Sequence, residues 1–88
     1  MHELGIASSI LEAVQKELLL YPGYRAAKIA IRIGEYAGVD TESLRFCFDA
    51  IVKDSPLARL ELGIEWKDGG DQLDLAALEL VELEEVTA

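Results

Sequence analysis

Apolar residues recur at every fourth position through the first part of the chain. Ile6, Ile10, Val14 and Leu18 form a stripe that Ala7, Leu11 and Ala13 widen, while Glu12, Gln15 and Lys16 fall on the opposite face. That period predicts an amphipathic helix. Glu3 near its start suits the positive end of the helix dipole, and Tyr21-Pro22-Gly23-Tyr24 punctuates its end. From Lys28 to Glu35 the period changes to two. Ile29, Ile31 and Ile33 share one face, and Lys28, Ala30 and Arg32 the other, so the segment predicts a strand with one wet side. Gly34 and Gly38 flank Tyr36-Ala37 and imply an irregular exit, after which Asp40 is placed to cap a second helix with Glu42 in its first turn. Leu44, Cys47, Phe48 and Ile51 supply that helix's apolar stripe; Arg45, Asp49 and Lys53 stand four apart on its outer side.

Asp54-Ser55-Pro56 ends the second helix. Leu60, Leu62, Ile64 and Trp66 then alternate with Glu61, Gly63 and Glu65, a second one-sided strand. Lys67-Asp68-Gly69-Gly70-Asp71 has the composition of a hairpin turn. In the last stretch Leu78 and Leu80 alternate, and Val81 and Leu83 then shift face, which predicts a strand with a bulge over residues 77–86; a helix is the alternative. The order helix, strand, helix, strand, strand predicts an α+β fold, a two-layer domain with two helices packed on one face of a three-stranded mixed sheet. Residues 1–88 read as one domain, with 68–71 a short turn inside it.

Composition narrows the setting. An apolar fraction of 51% supplies a core for a domain of 88 residues. A single cysteine permits no internal disulfide, which fits a reducing cytoplasm. The start of the chain lacks the basic opening of a signal peptide, and no apolar run is long enough to span a bilayer, so no membrane role is expected. Residues 1–53 carry 6 basic and 7 acidic groups, whereas residues 54–88 carry 2 basic and 10 acidic. An acidic half argues against nucleic acid, whose phosphates require clustered Lys and Arg. It suits solubility or docking on a basic partner.

Catalytic chemistry finds no support. No histidine besides His2 could serve as a base, Ser8 and Ser9 fall inside the first helix, and Cys47 on an apolar stripe reads as an inert core residue. The glycines form no phosphate-binding pattern, and the carboxylates lack the loop spacing of a hard-cation site. The chain is therefore not expected to be an enzyme. His2 stands out instead. At the second position of a free N-terminus, the Met1 amine, the His2 amide nitrogen and the His2 imidazole can close two fused chelate rings on one ion. Such nitrogen-rich, planar donors suit Ni(II) or Cu(II) rather than zinc or magnesium.

Met1-His2-Glu3-Leu4, Ser9-Ile10-Leu11, Ile33-Gly34-Glu35 with Gly38-Val39, and Ser43-Leu44-Arg45-Phe46-Cys47-Phe48 occur in an order that resembles the HypA/HybF-type hydrogenase-maturation nickel chaperones. The resemblance runs from residue 1 to about 66 and rejoins at 77–86. It implies two helices on a three-stranded sheet and Ni(II) held by the N-terminal segment. Met1 would give its amine, His2 its amide and imidazole, and Glu3 a neighbouring backbone or carboxylate donor. It also implies partners: hydrogenase maturation proteins, the hydrogenase large subunit and urease maturation proteins. The family inserts a zinc-binding module with two CxxC pairs between its last two strands, where this chain has only Asp68-Gly69-Gly70-Asp71. With one cysteine and one histidine no structural zinc site can be built, so no zinc is expected. A natural short relative and an excision closed with glycines would both read this way.

Two functional readings follow. In the first, the chain is a nickel-binding accessory protein that delivers Ni(II) to nickel–iron hydrogenase. In the second it is a metal-free protein–protein interaction module that retains the fold, a reading favoured by the missing zinc module and the acidic half. The short Gly69-Gly70 connection also admits a homodimer formed by exchange of elements.

Overall fold

The computed structural model describes residues 2–83. Its elements are α1 (Glu3–Leu18), β1 (Tyr24–Gly34), α2 (Thr41–Lys53), β2 (Glu61–Lys67) and β3 (Leu73–Glu82). The strand order is β2-β1-β3, with β1 parallel to β2 and antiparallel to β3. The sheet is thus mixed, and both helices pack on one face of it, as the patterning predicts. Ile29, Ile31 and Ile33 of β1 are buried against Ala7, Ile10 and Val14 of α1 and Leu44, Phe48 and Val52 of α2. Phe48, Ile29, Ile33, Leu44 and Val14 are the largest side chains wholly removed from solvent. Burial of that apolar surface, at roughly 25 cal/mol per Å², is the main force holding the layers together.

Sequence and structure differ in several places. β1 begins at Tyr24, four residues before the clean alternation, because Ala26 is small enough to be buried in a strand that a bulge interrupts. The final segment is a strand and not a helix, but it starts at Leu73; residues 84–86 of the predicted span lie outside the described residues. Its pairing to β1 shifts register between Ala26 and Lys28, and again between Ala30 and Ile31. These irregularities leave Ala27 of β1 and Ala76 of β3 as extra residues, rather than a break after Leu80. Arg45 does not pair with Asp49. Its guanidinium donates to the Leu62 carbonyl at 2.8 Å and ties α2 to β2. Cys47 is half-buried beside the core rather than within it, since Leu44, Phe48 and Val52 take the innermost face of α2.

The largest correction concerns residues 68–71. They do not form a hairpin, because β2 and β3 are not neighbours. The connection Asp68–Gln72 passes over the end of β1, crossing two strand spacings of about 4.8 Å each. Gly69 and Gly70 adopt left-handed backbone, with φ of 72° and 82°, which glycine reaches at no steric cost. Gly34 lies directly beneath: a Cβ there would stand 2.6 Å from the Gly70 carbonyl oxygen. Backbone bonds from Gly34 N–H to Gln72 O (2.8 Å), Glu35 N–H to Lys67 O (2.9 Å) and Tyr36 N–H to Gly70 O (2.8 Å) fasten the crossing. The Glu35 carboxylate accepts from Gly69 N–H at 2.9 Å and completes it.

Candidate metal centre

The end of the sheet closed by this crossing is also where the chain begins. α1 starts beside the β1–α2 loop, and two side chains bind the pieces together. Asp40 caps α2, its Oδ1 accepting from Ser43 N–H at 3.1 Å, as Asp40 ahead of the apolar stripe predicts. Glu3 Oε2 in turn accepts from the Asp40 backbone N–H at 3.2 Å, joining residues 37 positions apart. The first turn of α1 is thereby anchored to the start of α2. Gly38, with φ of 72°, supplies the left-handed bend that leads the loop into this position.

His2 occupies the N-cap position of α1 with extended backbone (φ −88°, ψ 90°), and its side chain makes no capping hydrogen bond. Its carbonyl accepts from Ile6 N–H at 3.1 Å, so the residue is held by the helix it precedes. Its amide nitrogen stands ahead of the helical ladder, in the group of N–H donors that no helical carbonyl can reach. His2 is exposed. Its carbonyl is thus engaged by α1, while its imidazole caps nothing in the first turn. Among the described residues no three His, Cys, Asp or Glu side chains converge closely enough to hold an ion.

The three residues singled out in the sequence thus divide. Met1 lies outside the described residues. His2 is exposed and its side chain makes no capping hydrogen bond, whereas one oxygen of the Glu3 carboxylate is already engaged by α2. Asp40, legible as a helix cap, gives no sequence signal of its nearness to Glu3. No helix among the described residues is long and apolar enough to cross a membrane.

Residues 1–71 match the family profile described as hydrogenase/urease nickel incorporation, metallochaperone, hypA. The hydrogenase maturation factor HypA of Desulfatibacillum aliphaticivorans is 41% identical over 66 residues, which make up 74% of this chain and 51% of that protein. The HypA of Chlorobaculum tepidum is 35% identical over 79 residues, 90% of this chain and 70% of its own length. The HypA of Pelodictyon phaeoclathratiforme is matched over 59% of its length, so the chain spans about half to three-fifths of several curated relatives. In fold, the chain is similar to the solution structure of the Ni metallochaperone HypA from Helicobacter pylori. The TM-score is 0.80 at 16% identity, covering 97% of this chain and 100% of that one. The match to the family profile ends at residue 71, whereas the likeness in fold takes in almost the whole chain.

Proposed function

The chain belongs to the HypA family of hydrogenase/urease nickel-incorporation metallochaperones, and we propose that its N-terminus holds Ni(II) for transfer to a nickel enzyme under assembly. The observation that carries this reading is His2, an exposed and uncapped residue at the start of α1. With Met1 as the free terminus, the Met1 amine, the His2 amide and the His2 imidazole supply three nitrogens. Glu3 contributes through its backbone nitrogen, while its carboxylate fixes the first turn of α1 against Asp40.

Nickel here is cargo. An open chelate on the outside of the fold can release its ion to another set of ligands, whereas a caged site would retain it. The chain transforms no substrate, and one cysteine and one histidine are too few to build the four-ligand structural zinc site of Cys and His. Its partners are hydrogenase maturation proteins and the hydrogenase large subunit, with urease maturation proteins as further recipients. The site of action is the cytoplasm.

Calorimetric titration of Ni(II) into protein with an unblocked Met1, beside the His2→Ala variant, tests the reading. One site is expected in the parent and none in the variant. Affinity is expected to fall as pH is lowered, because protons compete for the amide and imidazole nitrogens. Equal binding by both proteins, or affinity that stays flat with pH, would remove the N-terminal chelate from consideration.

A further inference from the structure

Asp68 is the one aspartate of the chain that precedes a glycine, and the sequence contains no asparagine. The pair stands in the crossing over the end of β1, with Asp68 exposed. Asp-Gly carries a chemistry of its own. The glycine nitrogen can attack the aspartate Cγ and close a five-membered imide ring, and glycine has no Cβ to obstruct the approach. The other aspartates precede Thr41, Ala50, Ser55, Gln72 and Leu75, each of which carries a side chain beside the attacking nitrogen. In the fold, the Gly69 nitrogen is already engaged: its N–H donates to the Glu35 carboxylate at 2.9 Å. An imide nitrogen carries no hydrogen, so the ring and this hydrogen bond cannot coexist. The flanking backbone is tied as well. Glu35 N–H donates to the Lys67 carbonyl at 2.9 Å on one side of the pair, and Tyr36 N–H to the Gly70 carbonyl at 2.8 Å on the other.

We propose that Asp68–Gly69 is a site of spontaneous isomerisation to isoaspartate, and that the Glu35 carboxylate restrains it by holding the Gly69 N–H. The reaction needs no redox partner. A bond forms from Gly69 N to Asp68 Cγ, the Cγ–hydroxyl bond breaks, and the hydroxyl leaves with the amide proton as water. Water then adds back to the imide. Opening at Cγ restores aspartate, whereas opening at the Asp68 main-chain carbonyl leaves the chain running through Cβ and Cγ. Composition is unchanged, but the main chain is longer by one atom. The carbonyls of Lys67 and Gly70 are both fastened to the exit of β1, so the added atom strains the crossing between two fixed points. There is no slack beneath it, since even a methyl group on Gly34 would stand 2.6 Å from the Gly70 carbonyl oxygen.

The test holds folded parent protein, the Glu35→Ala variant and a synthetic peptide of residues 61–74 in one warm, neutral buffer for several weeks. Chromatography of the digests separates aspartyl from isoaspartyl peptides, and electron-transfer fragmentation locates the altered residue. The peptide is expected to react fastest and the parent slowest. Glu35→Ala should exceed the parent by about tenfold, because loss of a charge-assisted hydrogen bond raises the population of the open crossing. Val52→Ala, in the last turn of α2, lowers global stability without touching the crossing and should leave the rate near the parent's. Asp68→Glu should abolish the product, since its longer side chain cannot close the five-membered ring. Isoaspartate absent from all samples, or arising first at another aspartate, would overturn the site. A Glu35→Ala rate no higher than the parent's would overturn the restraint. Equal acceleration by Val52→Ala would also overturn it, because the reaction would then proceed through the globally unfolded chain.

Discussion

The chain contains two helix starts that share a backbone conformation and differ in what the side chain does with it. His2 before α1 and Asp40 before α2 both adopt extended dihedrals, φ −88° and ψ 90° for one, φ −81° and ψ 108° for the other. Asp40 uses its carboxylate to satisfy the first turn of its helix, and a cap of this kind contributes about 1 kcal/mol. His2 makes no side-chain cap and leaves α1 without that contribution. One start is finished for stability, and the other is left uncapped at the residue proposed above to hold nickel. Departures from local rules of this sort concentrate at functional sites. The Glu3 carboxylate is what makes the open start affordable, because it anchors α1 to the finished start through the Asp40 N–H.

The largest test of that contrast is to finish the open start. His2→Ser is expected to lower nickel affinity by more than about 100-fold, beyond what loss of a second-shell partner costs. The same variant should raise stability by about 0.5–1 kcal/mol, because serine supplies the missing cap. Calorimetry and urea unfolding of one protein sample read both changes, and a variant that loses stability would contradict the view of His2 as an unused cap.

Next in size is the platform beneath both starts. Gly34→Ala places a methyl group against the carbonyl of the crossing segment, a backbone contact that cannot swing away, and should cost about 1–3 kcal/mol. The urea midpoint would show it, and an unchanged midpoint would mean that the crossing has room the packing does not indicate. Opening the finished start by Asp40→Ala should cost about 1 kcal/mol in the same assay, while the backbone N–H that holds Glu3 survives the change. The smallest effect belongs to Glu3→Gln, which keeps an acceptor for Asp40 N–H but removes the charge near the α1 dipole. A loss of about 0.3–0.5 kcal/mol is expected, diminishing as salt is added. A salt-independent loss would point to the hydrogen bond rather than the dipole.

Much of this architecture could be read in advance, and the exceptions have a common cause. Period four in Ile6, Ile10, Val14 and Leu18, and period two in Ile29, Ile31 and Ile33, identified a helix and a strand because side-chain direction is a local property of each backbone. Asp40 could be identified as a cap for the same reason. The crossing at residues 68–71 could not be recognised from its composition. Gly-Gly permits a hairpin or a passage over a neighbouring strand alike, and only the insertion of β1 between β2 and β3 decides between them. The early start of β1 and the bulges at Ala27 and Ala76 arise from pairing between strands, which no single segment records.

The functional end divides along the same line. The sequence by itself determined that His2 is the chain's one imidazole, that it precedes a helix, and that no cysteine pair stands ready for zinc. It also determined the two-layer α+β fold, since hydrophobic period follows from which face of each element must leave water. Tertiary structure alone decided that Glu3 reaches the cap of α2, and that α1 and the start of β3 leave an apolar groove lined in part by His2. Those features depend on segments tens of residues apart meeting in one place, and the order in which strands pair is set by the whole chain's burial rather than by any local pattern.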